Sequence, residues 1–248
     1  MSWREYYNNR QMSVQEAANI VKSGDCFWNP LLLGQPSMLI MDAIADRKDE
    51  LKDVEYINCL TLRPYKIFKP EYRDAFKVVC GFYSTPHLQE LAKSEWSNFI
   101  PFQSSDAAVK YTHRKRVYKR RTGMVTQVTP PDEHGYVNLG LDTFFTEQVM
   151  DQCEWIIAEV NPNMPRTYGQ SNFPVERFTA FVENPSPIIA VPTPEANEQE
   201  QKMAENVVSL LKDRDCIQVG IGAVPAAISK LLEHSGLKDL GIHTEMAP

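Results

Sequence analysis

The chain repeats itself. Residues 22–44 read KSGDCFWNPLLLGQPSMLIMDAI and residues 51–57 read LKDVEYI; residues 212–232 read KDRDCIQVGIGAVPAAISKLL and residues 237–243 read LKDLGIH. Asp25-Cys26 matches Asp215-Cys216, Leu51-Lys52-Asp53 matches Leu237-Lys238-Asp239, and in both copies a loop carrying a proline opens the next segment. The shared order and near-equal spacing indicate an internal duplication. This constrains the fold strongly, because one local architecture must serve both copies.

That architecture is legible in the first copy. Residues 13–23 (SVQEAANIVKS) read as a helix, with Ser13 and Glu16 spaced as a capping box and Gly24 beyond the end. Residues 26–34 run as a strand into a loop, residues 36–47 carry apolar side chains at helical spacing, and residues 54–62 (VEYINCLTL) alternate as a strand. Helix, strand, helix, strand is the rhythm of an α/β domain with a parallel sheet. The second copy follows suit, with helices over 197–211 and 225–233 and strands over 216–220 and 240–246. Between the copies, residues 123–140 (GMVTQVTPPDEHGYVNLG) read as strand, turn, strand. WIIAEVN (155–161) is a continuous apolar strand of the kind buried on both faces, and MPRTYG (164–169) is a loop beyond it.

Residues 184–194 (NPSPIIAVPTP) hold four prolines, which suit an extended connector. The organisation expected is therefore tandem similar α/β domains with mostly parallel sheets. Residues 1–184 form the first, 185–194 link, and 195–248 supply the opening elements of the second, which is truncated. Such a four-element piece buries little alone and is expected to lean on the first domain.

Composition narrows the function classes. The net charge of −6 gives no general affinity for nucleic acid. No apolar run approaches the ~20 residues of a membrane span, and MSWREYYNNR lacks the apolar stretch of a secretory signal. The five cysteines are odd in number, widely spaced and form no CxxC. They read as reduced thiols of a cytoplasmic protein, mostly buried in strands, and no paired spacing suggests zinc.

The chemistry concentrates in the second copy. Gly220-Ile221-Gly222-Ala223-Val224-Pro225 follows a strand and precedes a helix, where backbone N–H groups face a ligand and glycine permits close approach. Pro225 suits the first helical position. The dinucleotide fingerprint fails, since proline stands where its third glycine belongs. The turn is either a tight connection without a ligand or an anion or oxyanion site. On the strand 240–246, Gly241, His243 and Glu245 share one face, and Glu245 falls at the carboxyl end, where sites of open α/β sheets gather. From the residues alone, Glu245 is either a solvated acid or part of that site. His243 suits a core or supporting position rather than a base.

GIGAVPAAI, followed by LKDLGIHTEM, closely resembles the acetyl-CoA hydrolase/transferase family, and especially its butyryl-CoA:acetate and 4-hydroxybutyrate CoA-transferases. SWREYY, EAANIVKSGD, VTPPDEHGYVNLG and IIAEVNPNMP extend the resemblance along the whole chain. The resemblance implies two similar α/β domains of CoA-transferase type. It implies Glu245 as covalent nucleophile, Gly220, Ile221, Gly222, Ala223 and Val224 as the acyl-CoA and oxyanion site, and CoA as substrate with no bound cofactor or metal. Expected partners are an acyl-CoA, a short-chain carboxylate, and a second copy in a homodimer or a complementary C-terminal fragment. Two features depart from the family: the chain ends Ala247-Pro248 where an acidic, glycine-containing loop is usual, and most of the second domain is missing. Activity of these residues by themselves is therefore not expected. A hydrolase of the same family and a non-catalytic binding or assembly module remain the alternatives. HRKRVYKRR (113–121) reads as a solvated face rather than a contact for CoA phosphates or nucleic acid, and Asp132-Glu133-His134 as a polar turn rather than an acid/base cluster.

Overall fold

The computed structural model describes every residue except 102, 193 and 245–248. The chain divides into two compact units, Met1–Ile189 and Ala190–Pro248. In chain order the first holds α1 (Trp3–Asn8), α2 (Val14–Ala18), β1 (Cys26–Trp28), α3 (Met38–Ala45), β2 (Val54–Asn58), β3 (Phe76–Cys80), α4 (Pro86–Ala92), β4 (Ser97–Phe99), α5 (Ala107–Arg116), β5 (Thr122–Val128), β6 (Tyr136–Asn138), α6 (Thr146–Met150), β7 (Trp155–Val160), β8 (Asn172–Pro174) and β9 (Ala180–Glu183). The second holds α7 (Glu198–Leu210), β10 (Cys216–Ile217), α8 (Ala223–Glu233) and β11 (Gly241–Ile242).

Seven strands of the first unit form one parallel sheet in the order β4-β3-β2-β1-β5-β7-β9. The chain builds outward from β1 to one edge, then returns to build outward from β5 to the other. The reversal between β1 and β5 is a topological switch point, where loops diverge at the carboxyl ends and open a crevice. Both faces of the sheet are covered, which explains the unbroken apolar runs. Phe27, Tyr56, Trp155 and Ile157 enter the core on one face; Trp28, Ile57, Ile156 and Ala158 enter the core on the other. WIIAEVN lies between β5 and β9, buried throughout β7.

The duplication is visible bond by bond within each unit. The Asp25 carboxylate accepts from the N–H of Lys22 at 2.9 Å, and that of Asp215 from Lys212 at 2.8 Å. Gly24 N–H donates to the Lys52 carbonyl at 3.0 Å and Arg214 N–H to the Lys238 carbonyl at 3.1 Å. Asp53 and Asp239 both take left-handed backbone, at φ 54° and 57°. β1 and β2 pair in parallel with Cys26 opposite Glu55; β10 and β11 pair in parallel with Cys216 opposite Gly241. Equivalent residues thus make equivalent turns, and Thr244 stands where Asn58 ends β2.

Several expected boundaries move. The Ser13–Glu16 capping box forms, but α2 ends at Ala18, because the bond from Lys22 N–H to Asp25 draws the chain into a turn before β1. β2 ends at Asn58, since Leu60 adopts φ 52° and breaks the extended path. The connector starts inside the first unit: Ser186 O accepts from Asn161 and Asn163, fixing its first residues to the loop after β7. Of the cysteines, Cys26 and Cys80 are buried in strands, Cys59 and Cys153 are half-buried outside them, and Cys216 is exposed on β10.

The basic run is not a solvated face throughout. Arg114 Nε donates to Glu55 at 2.8 Å, Arg120 Nε lies 3.2 Å from the same carboxylate, and Arg121 reaches Asp25 at 2.9 Å. Glu55, Arg114 and Arg120 are all largely buried at the amino-terminal ends of the strands. The run therefore closes the end of the sheet away from the crevice. Asp132 accepts from the N–H groups of His134 and Tyr136 at 2.9 Å each, the pattern of a polar turn, as the sequence suggests.

Candidate functional site

In the second unit the glycine turn is built around an unusual backbone. Gly222 has φ 138° and ψ 178°, a region open essentially to glycine alone, and it caps α8 without a side-chain hydrogen bond. α8 begins at Ala223, two residues before the expected start. Pro225 consequently occupies the third helical position rather than the first. This is tolerated, because the N–H groups of the first turn have no intrahelical acceptor. The first bond of the helix runs from Ala226 N–H to Gly222 O at 3.2 Å. The N–H groups of Ala223 and Val224 precede it, at the positive end of the helix dipole. Ile221 and Gly220 are exposed, and Gly220 with Pro225 lines a cleft of about 230 Å³ against Val207, Leu211 and Ile228.

β11 spans only two residues, shorter than the expected strand 240–246. The pairing continues in another form. His243 N–H donates to Ile217 O at 3.0 Å. The Thr244 hydroxyl then takes over from the backbone: Val219 N–H donates to Oγ1 at 3.2 Å, and Oγ1–H donates to Val219 O at 2.6 Å. Thr244 is thereby clamped to the residue before Gly220. His243 is exposed, not a core histidine. Glu245, the nucleophile that the family resemblance implies, lies outside the described residues.

Two glycine substitutions in this turn differ in conformational cost. Among the described residues a Cβ at Gly222 would make only an ordinary contact, 3.7 Å from Pro225, so the cost of Gly222→Ala is conformational and about 1–3 kcal/mol. A Cβ at Gly220 would lie 3.8 Å from Pro225 on unstrained backbone. Gly220→Ala is therefore expected to leave the urea midpoint of the chain unchanged.

The first unit holds a polar cluster that sequence reading missed. At the carboxyl ends of its strands, Gln35 donates to Leu60 O at 3.1 Å and accepts from Leu62 N–H at 3.0 Å. Gln127 donates to Gln35 O and accepts from Asn161 at 3.0 Å. The Glu159 carboxylate, fully buried, accepts from Ser37 N–H at 3.1 Å and Ser37 Oγ at 2.7 Å, at the start of α3. Burial raises the Glu159 pKa, against the pull of Ser37 and of the nearby Arg63 guanidinium. The signal was present: an acid inside the apolar run WIIAEVN and a glutamine inside GMVTQVT need buried partners. Those partners, Ser37 and Gln35 before α3 and Asn161 after β7, lie far away in the sequence or outside the strand and could not be named from local pattern.

Comparison with known proteins gives a consistent result. Residues 1–192 match the family model of the acetyl-CoA hydrolase/transferase N-terminal domain. The chain is 30% identical to a succinyl-CoA:cyclohexane-1-carboxylate CoA transferase of Geobacter metallireducens, over 99% of this chain and 54% of the relative. It is 28% identical to a butyryl-CoA:acetate CoA-transferase of Anaerostipes caccae, over 99% of this chain and 55% of the relative. The crystal structure of a 4-hydroxybutyrate CoA-transferase from Porphyromonas gingivalis superposes with a TM-score of 0.79 at 26% identity, covering 99% of this chain and 56% of that one. The chain spans about half the length of the curated relatives it matches. With its duplicated helix-strand-helix-strand unit and its parallel sheet, the chain belongs to the acetyl-CoA hydrolase/transferase family.

Proposed function

We propose that the protein is an acyl-CoA:carboxylate CoA-transferase. It moves CoA between a short-chain acyl-CoA, such as butyryl- or 4-hydroxybutyryl-CoA, and an acid such as acetate, with Glu245 as nucleophile. The observation that carries this reading is the clamp of Thr244 on Val219. It holds the residue before Glu245 beside the turn, where the N–H groups of Ala223 and Val224 have no intrahelical acceptor and suit an oxyanion. The duplication supports it, because Glu245 is the counterpart of Cys59, which follows the carboxyl end of β2. The names of the relatives supply the substrate class.

The chemistry requires no general base, since a carboxylate of ordinary pKa, near 4.3, is ionised at neutral pH. A Glu245 oxygen attacks the thioester carbonyl, the C–S bond breaks, and an acyl-glutamyl anhydride and CoA thiolate result. The thiolate attacks the glutamyl carbonyl of the anhydride, releasing the donor acid and leaving a glutamyl-CoA thioester. A second carboxylate attacks this thioester, and the thiolate then attacks the new acyl carbonyl, giving the new acyl-CoA and restoring Glu245. Electron pairs balance at each step and no proton moves. N–H groups of Ala223 and Val224 would hold the developing oxyanion, at about 3–4 kcal/mol per donor. The binding energy of the nucleotide end of CoA would offset the strained anhydride. A cytoplasmic homodimer completes the proposal, supported by an odd number of widely spaced cysteines without a CxxC for the compartment and by the family resemblance for the dimer.

The test is the fate of the thioester in a chain of the relatives' full length carrying residues 1–248. With butyryl-CoA and labelled acetate, label should enter acetyl-CoA while total thioester stays constant. Thioester loss to water without an acid would instead identify a hydrolase.

A further inference from the structure

The loop after β2 carries a guanidinium whose chemistry the fold leaves unused. Nε and Nη2 of Arg63 are shut off from solvent and have no hydrogen-bond partner among the described residues. A buried polar group without a partner costs free energy and calls for an explanation. These two atoms form one edge of the guanidinium, with parallel N–H bonds that match the two oxygens of a carboxylate. The loop that presents them is rigidly set. Gln35 grips it through the Leu60 carbonyl and the Leu62 N–H, and Leu60 is held at φ 52°, a conformation that leucine adopts only when its surroundings impose it. Glu159 lies close enough to act electrostatically on Arg63, yet it accepts no hydrogen bond from the Nε–Nη2 edge. Its carboxylate is instead committed to Ser37. The positive charge is thus partly balanced at a distance while its Nε–Nη2 edge has no partner among the described residues.

We propose that the Nε–Nη2 edge of Arg63 is a carboxylate-binding subsite of the first unit. A phosphate would present a bulkier, more highly charged group to a fork that already has a buried carboxylate nearby. A single carboxylate suits it better. Two sources share that chemistry: the exchanged acid itself, or the distal carboxylate of a dicarboxylic acyl group. As a subsite for substrate this inference rests on the transfer reading; as a binding site it does not.

The test uses the 248-residue chain in ligand-observed NMR titrations with butyrate, succinate and inorganic phosphate, without CoA. Wild type should bind a carboxylate saturably and prefer it to phosphate. Arg63→Gln should weaken that binding at least about tenfold, as expected for the loss of two charge-assisted bonds. Arg63→Lys, which keeps the charge but loses the fork, should fall between. Binding of both acids identifies the exchanged carboxylate as occupant, and binding of succinate alone identifies a distal one. Circular dichroism confirms that each variant folds; if Arg63→Gln does not, Arg63→Lys decides, and wild-type affinity in it overturns the proposal. So does the absence of saturable carboxylate binding to wild type, equal binding to Arg63→Gln, or a preference for phosphate. Because the titration involves neither CoA nor Glu245 chemistry, its failure is distinct from failure of the transfer reading.

Discussion

In a chain of the relatives' full length, Glu245→Gln should lower butyryl-CoA:acetate exchange on the order of 10⁴-fold or more, as loss of a covalent nucleophile does elsewhere. The amide is nearly isosteric and leaves CoA binding intact, so the loss should fall on kcat. Glu245→Asp retains the charge but withdraws the nucleophilic oxygen by one methylene. Misplacement of this size costs on the order of 10²-fold, so the aspartate variant should be impaired but measurable. The ordering Glu, Asp, Gln distinguishes a nucleophile from a merely electrostatic carboxylate. An electrostatic role would leave Asp close to wild type and Gln only modestly affected. Kinetics of both variants under saturating butyryl-CoA, with acetate varied, read the difference.

Glu55→Ala should destabilise the first unit by about 3–5 kcal/mol, the cost of leaving buried cations without their partner. Glu55 is 7% exposed on β2, with Arg114 and Arg120 both converging on its carboxylate. Its removal takes the carboxylate from Nε of Arg114 and from Nε of Arg120, both side chains 14% exposed. Arg120 retains the Asp53 carboxylate at 3.1 Å and the Gly24 and Asp53 carbonyls at 3.1 and 2.8 Å, so the larger part of the cost falls on Arg114. Glu55→Gln keeps one acceptor and should cost less than alanine. Urea denaturation followed through the tryptophan fluorescence of Trp28 and Trp155, both buried in this unit, reads both variants. Equal stability of Glu55→Ala and wild type would show that the arginines find other partners.

How much of this was legible depended on whether the determinant is local. The Ser13–Glu16 box forms because both partners lie in one turn. β7 was readable because burial on both faces imposes an unbroken apolar run. The duplication was readable because the turn at Asp25 and the turn at Asp215 need the same side chain to accept the same N–H. The importance of Gly222 was likewise local, although the start of α8 at Ala223 was not: nothing in AVPA forbids helix before a proline in the first turn. The end of β2 was hidden, because leucine carries no signal for the left-handed backbone that Leu60 adopts. The role of the basic run was hidden too, since Glu55 and Asp25 become its partners only once β1, β2 and β5 lie side by side. Arg63 and Glu159 are close for the same non-local reason.

The most direct test of covalent catalysis by Glu245 is intact-mass and peptide analysis after reaction with butyryl-CoA and trapping with borohydride. The sample is the full-length chain carrying residues 1–248, with its Glu245→Gln variant as control. Borohydride reduces a glutamyl thioester to an alcohol, so the side chain loses one oxygen and gains two hydrogens. The expected result is this change at residue 245 in the wild type, dependent on butyryl-CoA and absent from the variant. A wild-type protein that exchanges CoA yet shows no reduction at Glu245 would contradict the mechanism.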